Sequence, residues 1–383
     1  MTPRAQVYLD YNASAPVRPE VRAAMEPLLF GELSFGNASS IHWAGREARR
    51  HLDEARRRIA ERVGRHPSEV IFTSGGSEAD NLALRGVMER AGPGARLILS
   101  AIEHPAVLVT AERLASRGVA VERIGVDREG RLDLEALDRA LERPATLVSV
   151  MAVNNETGVI QPIDAVIERA SRAGARVHVD AVQAAGRIPI PSAADLVTLS
   201  GHKIGGPKGV GVLLTRKALA LEPQISGGRQ ERGHRAGTEP IALAVGMAVA
   251  LERALADQDA EAIRLGAMRD HLEAGVRAIG GARILGEGAP RVAQTSTALF
   301  SGVEADALLQ ALDLAGVAAS SGSACSIGSL EPSHVLLAMG VPRAEALGAI
   351  RFSLGWRSQE EDASYLLSVL ATALCQARGA APR

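Results

Sequence analysis

The chain has 383 residues with 43 basic and 44 acidic side chains, a formal net charge of −1. That length allows two lobes with full cores, and the balanced charge offers no field for direct nucleic-acid contact or an anionic membrane. Aromatic residues are only 3%, too few for a base-stacking surface, and no apolar run reaches the roughly 18 residues of a spanning helix.

Residues 1–14, MTPRAQVYLDYNAS, lack the apolar core of a signal peptide. The two cysteines, Cys325 and Cys375, read as thiols of a cytoplasmic protein. Val70–Thr73 predicts a strand that runs through Gly75-Gly76-Ser77 into a helix over 78–90. Leu97–Leu99 predicts a strand and 105–117 a helix. Leu147–Val153 reads as a buried strand, 162–173 as a helix, and Arg176–Asp180, 195–199 and 209–214 as further strands. This alternation predicts an α/β fold with a mostly parallel sheet flanked by helices. From about residue 256 the pattern turns helix-rich, with strands near 295–300 and 349–354. The expected division is a large lobe over 15–255 and a smaller α+β lobe made of 1–14 and 256–383.

The chemistry-bearing residues follow the strands. Gly76 and Ser77 open a helix, where free N–H groups and the positive dipole end suit a phosphate, although an ordinary N-cap fits the segment equally. His104, in EHPA, follows a strand and is placed to stack on a planar ring or carry a proton. His178 and Asp180 share one strand face. Asp180 sits at the C-terminal end, where ligands bind in open α/β sheets and where a carboxylate holds a pyridine nitrogen protonated. The plain alternative is an aspartate capping the next turn.

Lys203, in SGHK, is the most informative residue. Only three of the 43 basic residues are lysines: Lys203, Lys208 and Lys217. A lysine retained where arginine otherwise prevails points to an amine that must lose its proton and form a Schiff base. Lys208, in a turn, and Lys217, after a strand, fit solvated surface positions. Cys325 lies in SSGSACSIGS, a run of small residues unsuited to a core, so its thiol is expected to be accessible and reactive. Cys375, in an apolar helical stretch, is expected in the core. Arg351, between apolar residues of a strand, fits a two-point grip on a carboxylate or an ion-paired strand arginine. Lys203, Asp180 and Cys325 together point to a pyridoxal-phosphate enzyme with a cysteine nucleophile.

The ordered motifs FGN (35–37), FTSGGSEADN (72–81), EHPAV (103–107), NNETG (154–158), HVDAVQAAG (178–186), SGHKIGGPKG (200–209), QERGHRAGTE (230–239), SSGSACS (320–326) and RFSLG (351–355) resemble the cysteine desulfurases. These belong to the class V aminotransferase group and have the pyridoxal-phosphate fold type I. The serine-rich cysteine loop resembles group I, the nitrogen-fixation and iron–sulfur-assembly branch. The resemblance implies that Lys203 bonds the cofactor, Asp180 pairs its ring nitrogen, Gln183 its ring oxygen, and His104 stacks on the ring. It implies that Gly76, Ser77, Ser200 and His202 hold the phosphate, and that Thr238 reaches the phosphate of a second subunit in a homodimer with shared sites. Asn155 and Arg351 would bind the carboxylate of L-cysteine, and Cys325 would take its sulfur as a persulfide for an acceptor protein, with L-alanine as co-product. No metal is implied. Three positions depart from the common pattern: Ser77 for a frequent threonine, Ala38 for a proline and Arg229 for a histidine. Selenocysteine lyase or another class V aminotransferase is the alternative reading.

Overall fold

The computed structural model describes residues 6–31, 34–322 and 331–379. After β1 (Val7–Tyr8) come α1 (Pro19–Phe30) and α2 (Trp43–Arg62). An alternating region then runs β2 (Val70–Thr73), α3 (Gly76–Ala91), β3 (Arg96–Ser100), α4 (Pro105–Ala115), β4 (Ala120–Ile124), α5 (Leu134–Leu141), β5 (Leu147–Ser149), α6 (Ile163–Arg172), β6 (Arg176–Asp180), β7 (Leu196–Ser200) and β8 (Gly211–Thr215). The 39-residue helix α7 (Ile241–Ile279) follows. The chain continues with β9 (Ala282–Ile284), β10 (Thr295–Phe300), α8 (Ala305–Leu314), β11 (Val317–Ala318), α9 (His334–Ala338), α10 (Arg343–Ala346), β12 (Ala349–Ser353) and α11 (Glu360–Ala377).

Seven strands form one sheet in the order β2-β8-β7-β6-β5-β3-β4. Only β8 runs against its neighbours. Both faces are covered, and alternate residues serve opposite cores. Ile98 packs with α2, α6 and α7 on one side, while Leu97 and Leu99 pack with α3 and α4 on the other. That explains the continuous apolar strands. The extended run begun by β5 continues past Ser149 with irregular pairing: Val150 N donates to His178 O at 3.1 Å and Ala152 N to Asp180 O at 2.8 Å. The strand expected over 147–153 is therefore shorter as a regular ladder but extended in path.

A second core lies around the antiparallel sheet β12-β10-β9 and the parallel pair β1-β11. It joins Leu9, Phe300, Ile350 and Phe352 to Leu265 and Leu272 of α7, Leu308 of α8 and Leu370 of α11. Helix α7 runs unbroken through residues 255 and 256, its first half in the large core and its second in the small one. Cys375, expected in the core, is only half-buried on α11, because it lies beside rather than on the stripe carrying Leu370 and Leu374.

The loop after β8 is tied to the large sheet. Glu231 takes both arms of Arg56, at 2.7 and 2.8 Å, and accepts Phe72 N at 2.9 Å. Glu231 and Arg232 have φ of 45° and 57°, a conformation unfavourable for side-chain-bearing residues that persists where surrounding contacts over-determine it.

Candidate active site

The C-terminal ends of β6 and β7, the start of α3 and the turns after β3 and β5 converge on a cavity of about 450 Å³, within the range of small-molecule and cofactor sites. Asn12, Gly322, His334 and Arg351, from both ends of the chain, supply its other wall. Gly76, Ser77, His104, Asn155, Asp180, Gln183, Ser200, His202, Lys203 and Arg351 all line it.

Lys203 follows β7 on a single 3-10 turn, Gly201–Lys203. Its Nζ donates to Asn12 O at 2.5 Å and Ala13 O at 3.0 Å. Burial foremost, then the charges of Arg351 and Arg187, brings the amine down to about 8, so an appreciable share is neutral near physiological pH. Gln183 Nε2 reaches the same Asn12 carbonyl at 3.0 Å.

Asp180 lies at the end of β6, and its Oδ1 accepts Val182 N at 2.9 Å. Burial, reinforced by the neighbouring Asp80 carboxylate, lifts Asp180 to about 7. Two buried carboxyls beside one another oppose a second negative charge. A cationic ring N–H delivered to Asp180 would relieve that cost. His178, two residues earlier on the same strand, sits in a buried polar network, with its Nε2 3.5 Å from Asp80 Oδ1. Its Nδ1 is 2.9 Å from Ser149 Oγ and its Nε2 3.0 Å from Thr198 Oγ1. Burial lowers this ring to about 4, so it is a neutral structural link.

Three features fit a phosphate. Helix α3 begins at Gly76 with no side-chain cap, leaving first-turn amides for an anion. A Cβ on Gly211 would lie 2.5 Å from Gly75 C, so only glycine lets β8 pass this close to the helix start. Ser200 Oγ, buried on the cavity wall, has no hydrogen-bond partner among the described residues. An orphaned hydroxyl beside a bare helix start matches an oxyanion. His202 stands nearby, its Nδ1 3.4 Å from Ser14 Oγ, and burial followed by the Lys203 and Lys208 charges lowers it to about 4. The residues present thus suit pyridoxal phosphate at both the ring-nitrogen and phosphate ends.

His104 caps α4, its Nδ1 accepting Ala106 N at 3.1 Å. Arg351, 2% exposed, donates to Asp10 Oδ1 at 2.8 Å and Asn155 O at 3.0 Å. It is thus ion-paired on its strand and also lines the cavity. Its Nε has no partner among the described residues. Thr238 is exposed and is not on the cavity wall of its own chain. Cys325 lies outside the described residues. Lys208 and Lys217 are exposed, as expected.

Four wall groups escape the sequence reading: Asn12, Asp80, Glu156 and His334. Asp80 was accessible to it, since it lies one helical turn after Gly76 and hence on the same face. Asn12 acts through a backbone carbonyl, which no side-chain pattern reveals. His334 and Glu156 meet the site only through tertiary structure.

The class-V aminotransferase family model matches residues 7–366. A cysteine desulfurase of Cereibacter sphaeroides is 46% identical, with 98% of each chain covered. Among solved structures, a NifS-like protein superposes with a TM-score of 0.90 at 36% identity, covering 97% of this chain and 99% of its own. A structure described as SspA in complex with cysteine has a TM-score of 0.79 at 33% identity, covering 91% and 98%.

Proposed function

The chain belongs to the cysteine desulfurases of the class-V aminotransferase family, and from that premise we propose how its own residues divide the work. It is a pyridoxal-phosphate enzyme that converts L-cysteine to L-alanine and passes the sulfur to an acceptor. The observation that carries the residue assignment is Lys203: a buried amine lowered to about 8 that lines the same cavity as Asp180 and Arg351.

Lys203 would hold the cofactor covalently, Asp180 its ring nitrogen, and Gly76, Ser77, Ser200 and His202 its phosphate. Gln183 would meet the ring oxygen, and His104 would lie against the ring. When bound, the cofactor supplies an electron sink for the pair released at the substrate Cα. Lys203 would take the Cα proton. Arg351 and Asn155 hold the substrate carboxylate, with Asp10 bracing the guanidinium at 2.8 Å. The Cys325 thiolate attacks the substrate sulfur. The new S–S bond forms as the Cβ–S bond breaks, and Cβ keeps that electron pair and takes a proton. His104, neutral and carrying its proton on the nitrogen not bonded to Ala106, is the proposed donor. Lys203 would return its proton to Cα, which leaves L-alanine and a Cys325 persulfide.

The expected result is one alanine per sulfide when anaerobic holoenzyme is given L-cysteine and a thiol reductant. Radiolabelled sulfur is expected to pass from the enzyme to an iron–sulfur scaffold or tRNA-thiolation carrier. A keto-acid-dependent reaction without sulfide would instead favour transamination.

We further propose a homodimer in the cytoplasm. Phe30, Phe35, Ile41 and Trp43 are 84, 64, 91 and 62% exposed, a large apolar display for a monomer surface. Close by, Ser39 and Glu239 line one depression. Both Glu239 oxygens lack hydrogen bonds among the described residues, with only a 3.6 Å ion pair from Arg49 to Oε1, and the adjacent Thr238 is exposed. A second copy covering this face would bring Thr238 toward the partner's cavity. Sedimentation is expected to give twice the chain mass of 40.0 kDa; a monomer at working concentration would overturn the shared-site assignment. Among the described residues no helix is long and apolar enough to cross a membrane.

A further inference from the structure

Three histidines line the cavity, and the fixed hydrogen bonds of two of them, His104 and His334, make this pair chemically opposite. His104 Nδ1 accepts the Ala106 N–H. A nitrogen that accepts carries no proton, so neutral His104 has its proton on Nε2. Burial foremost, then the nearby Lys203 charge, lowers this ring to about 4, so the neutral form prevails near pH 7. His104 therefore has a donor to offer and no lone pair.

His334 is the reverse. Its Nε2 lies 2.9 Å from the carbonyl oxygen of Glu103. A carbonyl only accepts, so Nε2 carries the proton and the lone pair of the neutral ring is on Nδ1. That nitrogen bonds no other group among the described residues.

The ring is also held in place. Ser333, the residue before it, accepts Val335 N at 3.1 Å and Leu336 N at 3.2 Å, and donates to Glu156 Oε2 at 2.5 Å. Glu156 is 2% exposed and packs so tightly on the chain that a Cβ on Gly322 would lie 2.3 Å from its Oε2. His334 thus enters the cavity from a backbone anchored at three points and with its tautomer set. The other chemistry is already committed. Arg351 and Lys203 are donors, Asp180 is at the cofactor-ring end, and Glu156 Oε2 is taken by Ser333.

We propose that His334 recognises the substrate thiol, its Nδ1 accepting a hydrogen bond from the S–H of L-cysteine and holding the sulfur for attack. This assignment rests on the desulfurase reading and adds a specificity determinant to it. A thiol keeps its hydrogen near neutral pH, whereas a selenol is acidic enough to lose it. A selenolate meeting a lone pair gains nothing from it. His334 therefore favours L-cysteine over L-selenocysteine.

The test compares holoenzyme with His334→Phe, which removes the acceptor, and His334→Asn, whose carboxamide oxygen restores one near the Nδ1 position. Alanine formation gives kcat and KM for both substrates. In His334→Phe, kcat/KM for L-cysteine is expected to fall about tenfold, chiefly through KM, and that for L-selenocysteine to stay within about twofold, the scale of one neutral hydrogen bond. His334→Asn should recover most of the loss. A readout without turnover is the calorimetric affinity of holoenzyme for 3-mercaptopropionate relative to propionate. The parent and His334→Asn should prefer the thiol compound, and His334→Phe should not. Equal losses for both substrates, or an unchanged thiol preference in His334→Phe, would overturn the proposal. No alanine from the parent would instead overturn the desulfurase reading. If His334→Phe fails to fold, absence of thiol preference in the parent and His334→Asn would also overturn it.

Discussion

Lys203→Ala is expected to lower alanine formation from L-cysteine by about four orders of magnitude or more, the combined scale of a lost covalent anchor and a lost general base. The thermal transition should move little, because Lys203 contributes one half-buried side chain and no core packing. Its Nζ is held only by the carbonyls of Asn12 and Ala13, neutral acceptors that position the amine without an ion pair. Together with burial, this leaves the proton easier to lose. Lys203→Arg should fail as completely, because a guanidinium stays protonated. Lys208→Ala, at an exposed position, should leave turnover within about twofold, the usual scale for a surface change. A Lys203→Ala enzyme keeping more than about one hundredth of parental turnover would remove Lys203 from the base role.

The second large effect is expected at Cys325. Cys325→Ser should retain the cofactor's absorbance and bind L-cysteine, yet form no enzyme persulfide. A hydroxyl replaces the thiolate that must attack sulfur, so sulfide and alanine should both fall about a thousandfold or more. Cys375→Ser is the control, since Cys375 lies on α11 and is absent from the cavity wall. Parental sulfide release from Cys325→Ser would dismiss Cys325 as the sulfur acceptor. If both cysteine variants lost activity equally, the two thiols would have to act as a pair.

The contrast between residues read from sequence and those found only in space is physical. Gly76, Asp180 and Lys203 were legible because strand ends of an α/β sheet deliver side chains to one edge, and each strand announces itself as an apolar run. The same logic placed β10 at 295–300 without error. It does not find His334, which carries no strand-end signature and reaches the cavity through a five-residue helix fixed by Glu156, 177 positions away. Arg351 was legible as an arginine in an apolar strand, but its pairing with Asp10, 341 positions distant, was not. Helix α7 was missed as one element because its two halves bury different faces into different cores. The apolar face changes partner along the helix, so no single stripe marks its whole length.

The clamp on Lys203 has a consequence for how the protein is made. Asn12 is held by Ser353 Oγ through its backbone N–H and by Thr295 Oγ1 through its side chain, while Val7 and Tyr8 pair with Val317 and Ala318. A ribosome adding about 5–20 residues per second takes roughly 15–60 s to travel from Val7 to Val317. All strands of the large sheet emerge in that interval, and Lys203 with them. The amino-terminal segment waits, its strand edge unpaired and exposed to other chains, until β10, β11 and β12 have been synthesised. The catalytic lysine therefore acquires its carbonyl partners among the last events of translation, and productive cofactor capture belongs to the nearly finished chain rather than to the early nascent one.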